Sequence, residues 1–167
     1  MNDKQLSDWF SKKKIQEVEV IVPDLAGIAR GKLVPADKFL NNTAIRLPES
    51  VFTQTVTGEF LEVPVINPAD RDVIVKSDLN TLRLLPWEEP TASVVNDCFY
   101  EDGSPVDISP RQVLKNVLQK FNDLNIQPIV APELEFYLVK KNTNPKNNVE
   151  PPIGRSGRQE TVRQPFS

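Results

Sequence analysis

Histidine is absent from the 167 residues of this chain. The absence excludes a serine–histidine–aspartate triad, a histidine general base and a histidine metal ligand within these residues. Any chemistry carried out here must therefore use carboxylates, lysine or arginine side chains, hydroxyl groups or the backbone.

Cysteine is nearly absent, and long apolar runs are missing. The lone Cys98 lies in an apolar stretch, which predicts a small core side chain rather than a nucleophile. A single cysteine forms no internal disulfide, so a cytoplasmic location is expected. No apolar run approaches the roughly 20 residues that span a bilayer. The formal net charge of −3 argues against a general nucleic-acid binder.

The first hundred residues alternate between short strands and turns. Mixed apolar, β-branched and polar residues predict strands over 14–23, 28–34, 72–76, 81–85 and 92–100. Short helices are predicted over 3–13 and 35–40, and the turn at 23–27 predicts a hairpin between the first two strands. Residues 41–70 form a long irregular connection, which we interpret as a candidate ligand or partner loop, with mobility alone as the alternative. The predicted fold class is α+β.

A longer helix is predicted over residues 110–124. Ser109 suits the N-cap position, Pro110 the first helical position, and Gln112 completes a capping-box pattern. Asn125 suits the end of the helix. Apolar residues recur at helical spacing and form one stripe: Val113, Leu114, Val117, Leu118, Phe121 and Leu124.

The next segment carries two acids on one face of a predicted strand. Glu133, Glu135 and Tyr137 alternate with apolar neighbours, so their side chains are expected to point the same way. Such a carboxylate pair repels itself unless water, a proton or a cation intervenes. Hard cations such as Mg2+ prefer carboxylate oxygens. The alternative is a solvent-facing strand with two ordinary surface acids.

Residues 142–167 are rich in Asn, Pro, Gly and Arg, and from about residue 142 we expect a flexible tail. One helix and one strand before it cannot bury a core. We therefore expect the chain to be a piece of a larger domain. Arg155 and Arg158 are candidates for binding anions, although a solvated loop is the favoured interpretation.

The chain resembles the N-terminal part of the glutamine synthetase family between residues 15 and 141. Five motifs in order carry the resemblance: Asp24-Leu25-Ala26-Gly27-Ile28-Ala29-Arg30-Gly31-Lys32, Pro86-Trp87, Asp102-Gly103-Ser104-Pro105, Ser109-Pro110-Arg111 and Pro132-Glu133-Leu134-Glu135-Phe136-Tyr137. The match is closest to the γ-glutamylputrescine synthetase branch. It implies a β-grasp-like N-terminal domain over residues 15–108 and the opening helix and strand of a catalytic domain over residues 109–167.

The resemblance also implies an activity. Family members use ATP to phosphorylate the γ-carboxylate of glutamate, and ammonia or an amine then displaces the phosphate. Two divalent cations, Mg2+ or Mn2+, assist this chemistry. Carried over, Glu133 would bind the cation on the ATP side and Glu135 the cation on the glutamate side. The family's other ligands lie beyond residue 167, so these residues alone are expected to be inactive.

The resemblance bears on the amine through Thr55. Glutamine synthetases proper carry an Asp-Gly-Ser-Ser motif whose Asp helps to bind ammonium in a neighbouring subunit, and Thr55 stands at that place by spacing. Losing a carboxylate there favours a larger amine such as a polyamine. A glutamate–ammonia ligase and a non-catalytic β-grasp interaction module are the alternatives. Arg30 and Lys32 are interpreted as packing residues, and ring-shaped oligomers are expected for the complete protein.

Overall fold

A computed structural model describes residues 1–41, 43–60, 66, 69–88 and 90–159 of the chain. The chain divides into two compact units, Met1–Pro128 and Ile129–Ser167. Almost all regular structure in the described residues belongs to the first unit. Its helices are α1 (Asp3–Lys13), α2 (Ala36–Leu40) and α3 (Pro110–Asp123). Its strands are β1 (Glu17–Pro23), β2 (Ala29–Pro35), β3 (Ile45–Pro48), β4 (Asp72–Ser77), β5 (Arg83–Leu84) and β6 (Thr91–Phe99).

The strands form one mixed sheet in the order β2-β1-β6-β4-β3, with β5 paired to β6. The predicted hairpin is confirmed, since β1 and β2 pair antiparallel from Glu17 opposite Pro35 to Pro23 opposite Ala29. β1 also pairs parallel with the first half of β6, whereas β4 pairs antiparallel with its second half. The long strand β6 therefore joins the two halves of the sheet.

The core lies between this sheet and the short helices. Strand positions that alternate along β1 are fully buried, namely Val18, Val20 and Val22. Phe10 of α1 stacks on Phe39 of α2 with ring centroids 5.7 Å apart, and both rings belong to the same buried cluster. Burial of such side chains is the main source of stability in a domain of this size.

The predictions for the first unit are largely confirmed, with two omissions and one strand that is shorter than predicted. Of residues 81–85, only Arg83–Leu84 form a strand, and Thr81 ends a 3₁₀ helix, Leu79–Thr81. β3 was not predicted, because a four-residue strand carries little periodic signal and owes its stability to pairing with β4. Residues after β3 have strand propensity, yet Glu49–Phe52 form a 3₁₀ helix. The segment between β3 and β4 is thus partly ordered rather than wholly irregular in the residues that are described.

Helix α3 begins where predicted and ends one residue earlier than predicted, at Asp123, but it lacks the predicted cap. Ser109 is the N-cap residue, but its side chain makes no capping hydrogen bond and its buried Oγ has no partner among the described atoms. Gln112 bonds to Asn116 one turn along instead of reaching back, so the capping-box prediction is wrong. The predicted stop is confirmed, since Asn125 has φ +54° directly after the helix.

Charged contacts hold α3 against the sheet. Arg111 donates to Asp97 of β6 at 3.0 Å and to Asp78 at 2.8 Å, and Lys115 reaches Asp97 at 2.5 Å. Burial alone would raise the pKa of Asp97, but the hydrogen bonds from Lys115 and Arg111 outweigh it and lower that pKa. None of the α3 side chains is fully buried, and Leu114 of its apolar stripe is 57% exposed.

Candidate functional site

The acids Glu133 and Glu135 lie in the second unit, in backbone without strand pairing. The strand predicted around them is therefore wrong for this structure. A strand needs a hydrogen-bonded neighbour, and no described residue range pairs with residues 133–138. The alternating apolar side chains that would face a core are exposed instead, with Leu134 at 91% and Phe136 at 77%.

The donor chemistry of Glu133 and Glu135 fits a hard cation such as Mg2+, because both supply exposed carboxylate oxygens. Two carboxylates provide only part of an octahedral shell. Across the described ranges, no group of three or more His, Cys, Asp or Glu side chains comes together in a metal-binding arrangement. These two acids thus represent a partial donor set.

The candidate amine residue Thr55 lies in a compact turn of the β3–β4 segment. Its backbone N–H donates to the Glu59 carbonyl at 2.9 Å, and its own carbonyl accepts from Gly58 N–H at 2.9 Å. Its hydroxyl accepts from Glu59 N–H at 3.0 Å. We call residues 55–59 the Thr55 turn.

A carboxylate that the sequence analysis overlooked belongs to this turn. Thr57 Oγ1 lies 3.0 Å from Thr55 Oγ1 and donates to Glu59 Oε2 at 3.2 Å. Glu59 is exposed, so its charge is available to solvent and ligands. The inference that this loop lost its carboxylate therefore holds for position 55 but not for the turn as a whole. The signal was present in the sequence, four residues further on.

Arg30 fixes the Thr55 turn to the β1–β2 hairpin. Its Nε donates to Asp24 Oδ2 at 2.7 Å and its Nη2 donates to the Thr55 carbonyl at 2.8 Å. Lys32, two residues along β2, donates instead to the Arg46 carbonyl in β3 at 2.7 Å. Both cations of the Arg-Gly-Lys pattern therefore make packing contacts between segments.

A second polar cluster anchors the start of the β3–β4 segment. The carboxylate of Glu49, whose side chain is 4% exposed, accepts from the Tyr100 hydroxyl at 2.6 Å and from Arg71 Nε at 3.2 Å. The Arg71 guanidinium stacks 3.7 Å above the Tyr100 ring. Burial, followed by the hydrogen bond to Glu49, raises the pKa of Tyr100.

The other end of this segment is held by Asp70. Its carboxylate accepts from Ser50 N–H at 2.9 Å and from Ser50 Oγ at 2.8 Å. Sequence reasoning missed these contacts, because the partners are about 20 residues apart or more and no periodicity links them. A buried glutamate becomes recognisable only when its partners are brought together by the sheet.

The remaining sequence candidates occupy ordinary positions. Cys98 is 2% exposed, and burial, followed by the charge of Asp97, raises the pKa of its thiol to about 12. Arg155 and Arg158 are exposed in a turn of the second unit closed by Gly154 N–H donating to the Arg158 carbonyl at 2.9 Å. Within the described residues, no helix is both long and apolar enough to cross a membrane.

Comparison with known proteins bears on the family of the chain. Residues 107–167 match the sequence model of the glutamine synthetase catalytic domain. Over 83% of the chain it is 33% identical to a glutamate–isopropylamine ligase of a Pseudomonas species. It is 33% identical to a Pyrococcus abyssi glutamine synthetase over 75% of the chain, and 30% identical to the Escherichia coli K12 γ-glutamylputrescine synthetase PuuA over 82%. The chain covers 32%, 26% and 30% of these three relatives, about a third of their length or less.

Solved structures point the same way. A GmaS–ADP complex shares 26% identity with a TM-score of 0.59, covering 71% of this chain and 26% of that one. A further structure, of a novel glutamine synthase homolog, has a TM-score of 0.57 at 19% identity over 66% of this chain and 27% of that one, which supports the fold alone. The chain belongs to the glutamine synthetase family.

Proposed function

We propose that the whole protein is an ATP-dependent carboxylate–amine ligase that joins the γ-carboxylate of glutamate to an amine. The observation that carries the proposal is the 33% identity to a glutamate–isopropylamine ligase over 83% of the chain. The match to the catalytic-domain model over residues 107–167 accompanies it. The latter range includes Glu133 and Glu135. Because the chain spans about a third of the length of its relatives, we expect these 167 residues alone to show no turnover.

The proposed reaction has two steps. The γ-carboxylate attacks the terminal phosphorus of ATP and ADP leaves, which gives a γ-glutamyl phosphate. The amine nitrogen then attacks the acyl carbon, loses a proton and displaces phosphate. Divalent cations, when bound, would neutralise the charge that accumulates between phosphate and carboxylate. Glu133 and Glu135 are the residues of this chain that would help to hold them.

We propose a β-grasp-like N-terminal domain over residues 15–108 and the start of the catalytic domain over residues 109–167. Support comes from the β1–β2 hairpin at one edge and from the parallel pairing of the first and last strands, β1 and β6, inside the sheet. Self-association into rings is proposed for the whole protein, by analogy with the family, and so is a cytoplasmic location.

We propose that the Thr55 turn faces the amine and that a polyamine such as putrescine is the acceptor. The polar residue Thr55 in place of a carboxylate supports a larger amine, as does 30% identity to a γ-glutamylputrescine synthetase. The second candidate is a glutamate–ammonia ligase. Glu59 favours that alternative, because its exposed carboxylate, linked to Thr55 through Thr57, offers a partner for ammonium. A non-catalytic module remains the rival from another class.

The test of the ligase proposal is the variant Glu135→Ala in the full-length protein. Loss of a metal-binding carboxylate should lower ATP- and amine-dependent ADP release by at least about 100-fold, since even outer partners of metal ligands are worth 10–100-fold. Glu150→Ala is a matched control. Glu150 lies in the same unit and is half exposed, but it is paired to Lys140 at 2.9 Å. Equal activity of both variants would overturn the metal role of Glu135.

A further inference from the structure

The Thr55 turn closes on itself and needs an external anchor to hold a fixed position. Its internal hydrogen bonds join Thr55 to Gly58 and Glu59. These bonds set the shape of the turn but do not tie it to the sheet. A surface turn that is closed only by its own hydrogen bonds opens more readily than one that is also bound from outside.

Arg30 provides that anchor. Its Nη2 donates to the Thr55 carbonyl at 2.8 Å, while its Nε donates to Asp24 at 2.7 Å. The Asp24 side chain is fully buried and that of Arg30 is 19% exposed, so the pair is shielded from water. Charge-assisted hydrogen bonds are stronger than neutral ones, and a planar guanidinium fixes the direction of both donors at once.

Asp24 is itself held in place. Its Oδ1 accepts from Ala26 N–H at 2.9 Å and from Ile28 N–H at 2.7 Å, which closes the turn between β1 and β2. One carboxylate therefore shapes the hairpin turn with one oxygen and orients Arg30 with the other. Among the described residues, one further backbone hydrogen bond joins the two segments, from Leu25 N–H to the Phe52 carbonyl, and it is longer at 3.3 Å.

We propose that Arg30, oriented by Asp24, is a positioning residue that holds the Thr55 turn where it meets the amine substrate. The inference rests on the proposed function, because the amine-facing role of the turn belongs to that proposal. Arg30 acts through the Thr55 carbonyl and does not touch the substrate. Its loss should weaken recognition of the amine and leave the recognition of ATP and glutamate unchanged.

Lys32 offers a matched control on the same strand. It also donates to a backbone carbonyl at short distance, but that carbonyl belongs to Arg46 of β3 rather than to the turn. Lys32→Met removes one cation and one hydrogen bond between segments without releasing the Thr55 turn. Arg30→Met also removes one cation, but it removes two hydrogen bonds, one to Asp24 and one to the Thr55 carbonyl. A general loss of packing would affect both variants, whereas a positioning role affects only the Arg30 variant.

The experiment measures steady-state kinetics of the full-length protein for each substrate. Arg30→Met should raise KM for the amine about tenfold, the equivalent of one charge-assisted hydrogen bond, with KM for ATP and glutamate within about twofold. Arg30→Lys should recover part of the loss, and Lys32→Met should match the wild type. Equal changes in all three KM values, or an unchanged KM for the amine, would overturn the proposal.

Hydrogen exchange separates this inference from the proposed function. Amides of Gly58 and Glu59 should exchange faster in Arg30→Met than in Lys32→Met, and unchanged exchange would overturn the anchoring role whatever the activity. A wild type without amine-dependent turnover would overturn the proposed function and, with it, the amine role. If Arg30→Met does not fold, Asp24→Asn replaces it. The asparagine side-chain oxygen can still accept the two hydrogen bonds of the hairpin turn, whereas the negative charge that pairs with Arg30 is lost.

Discussion

Gly31 should be among the least replaceable residues of the sheet. It lies in β2 opposite Ile21, and a Cβ added there would meet the Val20 carbonyl oxygen at 1.9 Å. Real Cβ atoms essentially never come closer than 3.0 Å, so the two backbones would have to part by about 1 Å. That movement weakens the hairpin ladder at its centre.

The expected cost of Gly31→Ala follows from these contacts. Overpacking costs about 1–3 kcal/mol, and weakening two ladder hydrogen bonds adds about 1 kcal/mol each. The free energy of unfolding should therefore fall by about 3–5 kcal/mol, which is a large part of the stability of a small domain. Urea denaturation followed by circular dichroism measures the loss.

Gly27→Ala is the matched control for Gly31→Ala. Gly27 has φ +79°, but nothing lies within 4 Å of an added Cβ. A left-handed residue with a side chain costs about 1–2 kcal/mol, partly offset by a stiffer unfolded chain. Gly27→Ala should thus cost about 1 kcal/mol. A loss at Gly31 no larger than that at Gly27 would refute the steric argument.

Three further predictions concern Asp97, Cys98 and the pair of Glu49 with Tyr100. Since the pKa of Asp97 is lowered in the folded state, its carboxylate contributes stability that is present above the unfolded pKa of about 3.9 and is lost as pH falls through the folded pKa. Asp97→Asn should therefore lower the free energy of unfolding by about 1–3 kcal/mol at pH 7, and urea titrations should show the difference shrinking toward pH 3. The Cys98 thiol, with a pKa of about 12, should resist labelling at pH 8 until urea unfolds the protein, and rapid labelling of the native protein would contradict its burial. Glu49→Gln should lower the free energy of unfolding, measured by urea denaturation, by about 1–3 kcal/mol. Tyr100→Phe should lower it less, because Glu49 accepts from two donors and Tyr100 is one of them. A larger loss for Tyr100→Phe than for Glu49→Gln would contradict this arrangement.

Local sequence patterns predict those parts of the fold that depend on local physics. The β1–β2 hairpin follows from alternating apolar residues on either side of a turn, and α3 follows from helical spacing that ends at Asn125. Position and type of both elements are confirmed. The predicted capping hydrogen bond of Ser109 is wrong, because its Oγ is buried without the expected partner. Tertiary packing therefore decided the side-chain contact, although not the helix boundary.

Contacts between distant segments were beyond sequence reasoning. Glu49 pairs with Tyr100, which is 51 positions away along the chain. Arg30 donates to the Thr55 carbonyl, which is 25 positions away. The alternation around Glu135 predicts a strand, but a strand also needs a neighbour, and none of the described segments provides it. The metal-binding role of Glu133 and Glu135 stays a prediction from family resemblance.

The most direct test of the ligase proposal is ADP release by the full-length protein with glutamate, Mg2+ and ATP, comparing putrescine with ammonia. The account predicts release that depends on the amine, with putrescine the better acceptor, and a γ-glutamyl amide as product. Release with ammonia alone would keep the ligase class and contradict the proposed acceptor. No amine-dependent release with either would contradict the proposal for these acceptors and favour a non-catalytic module.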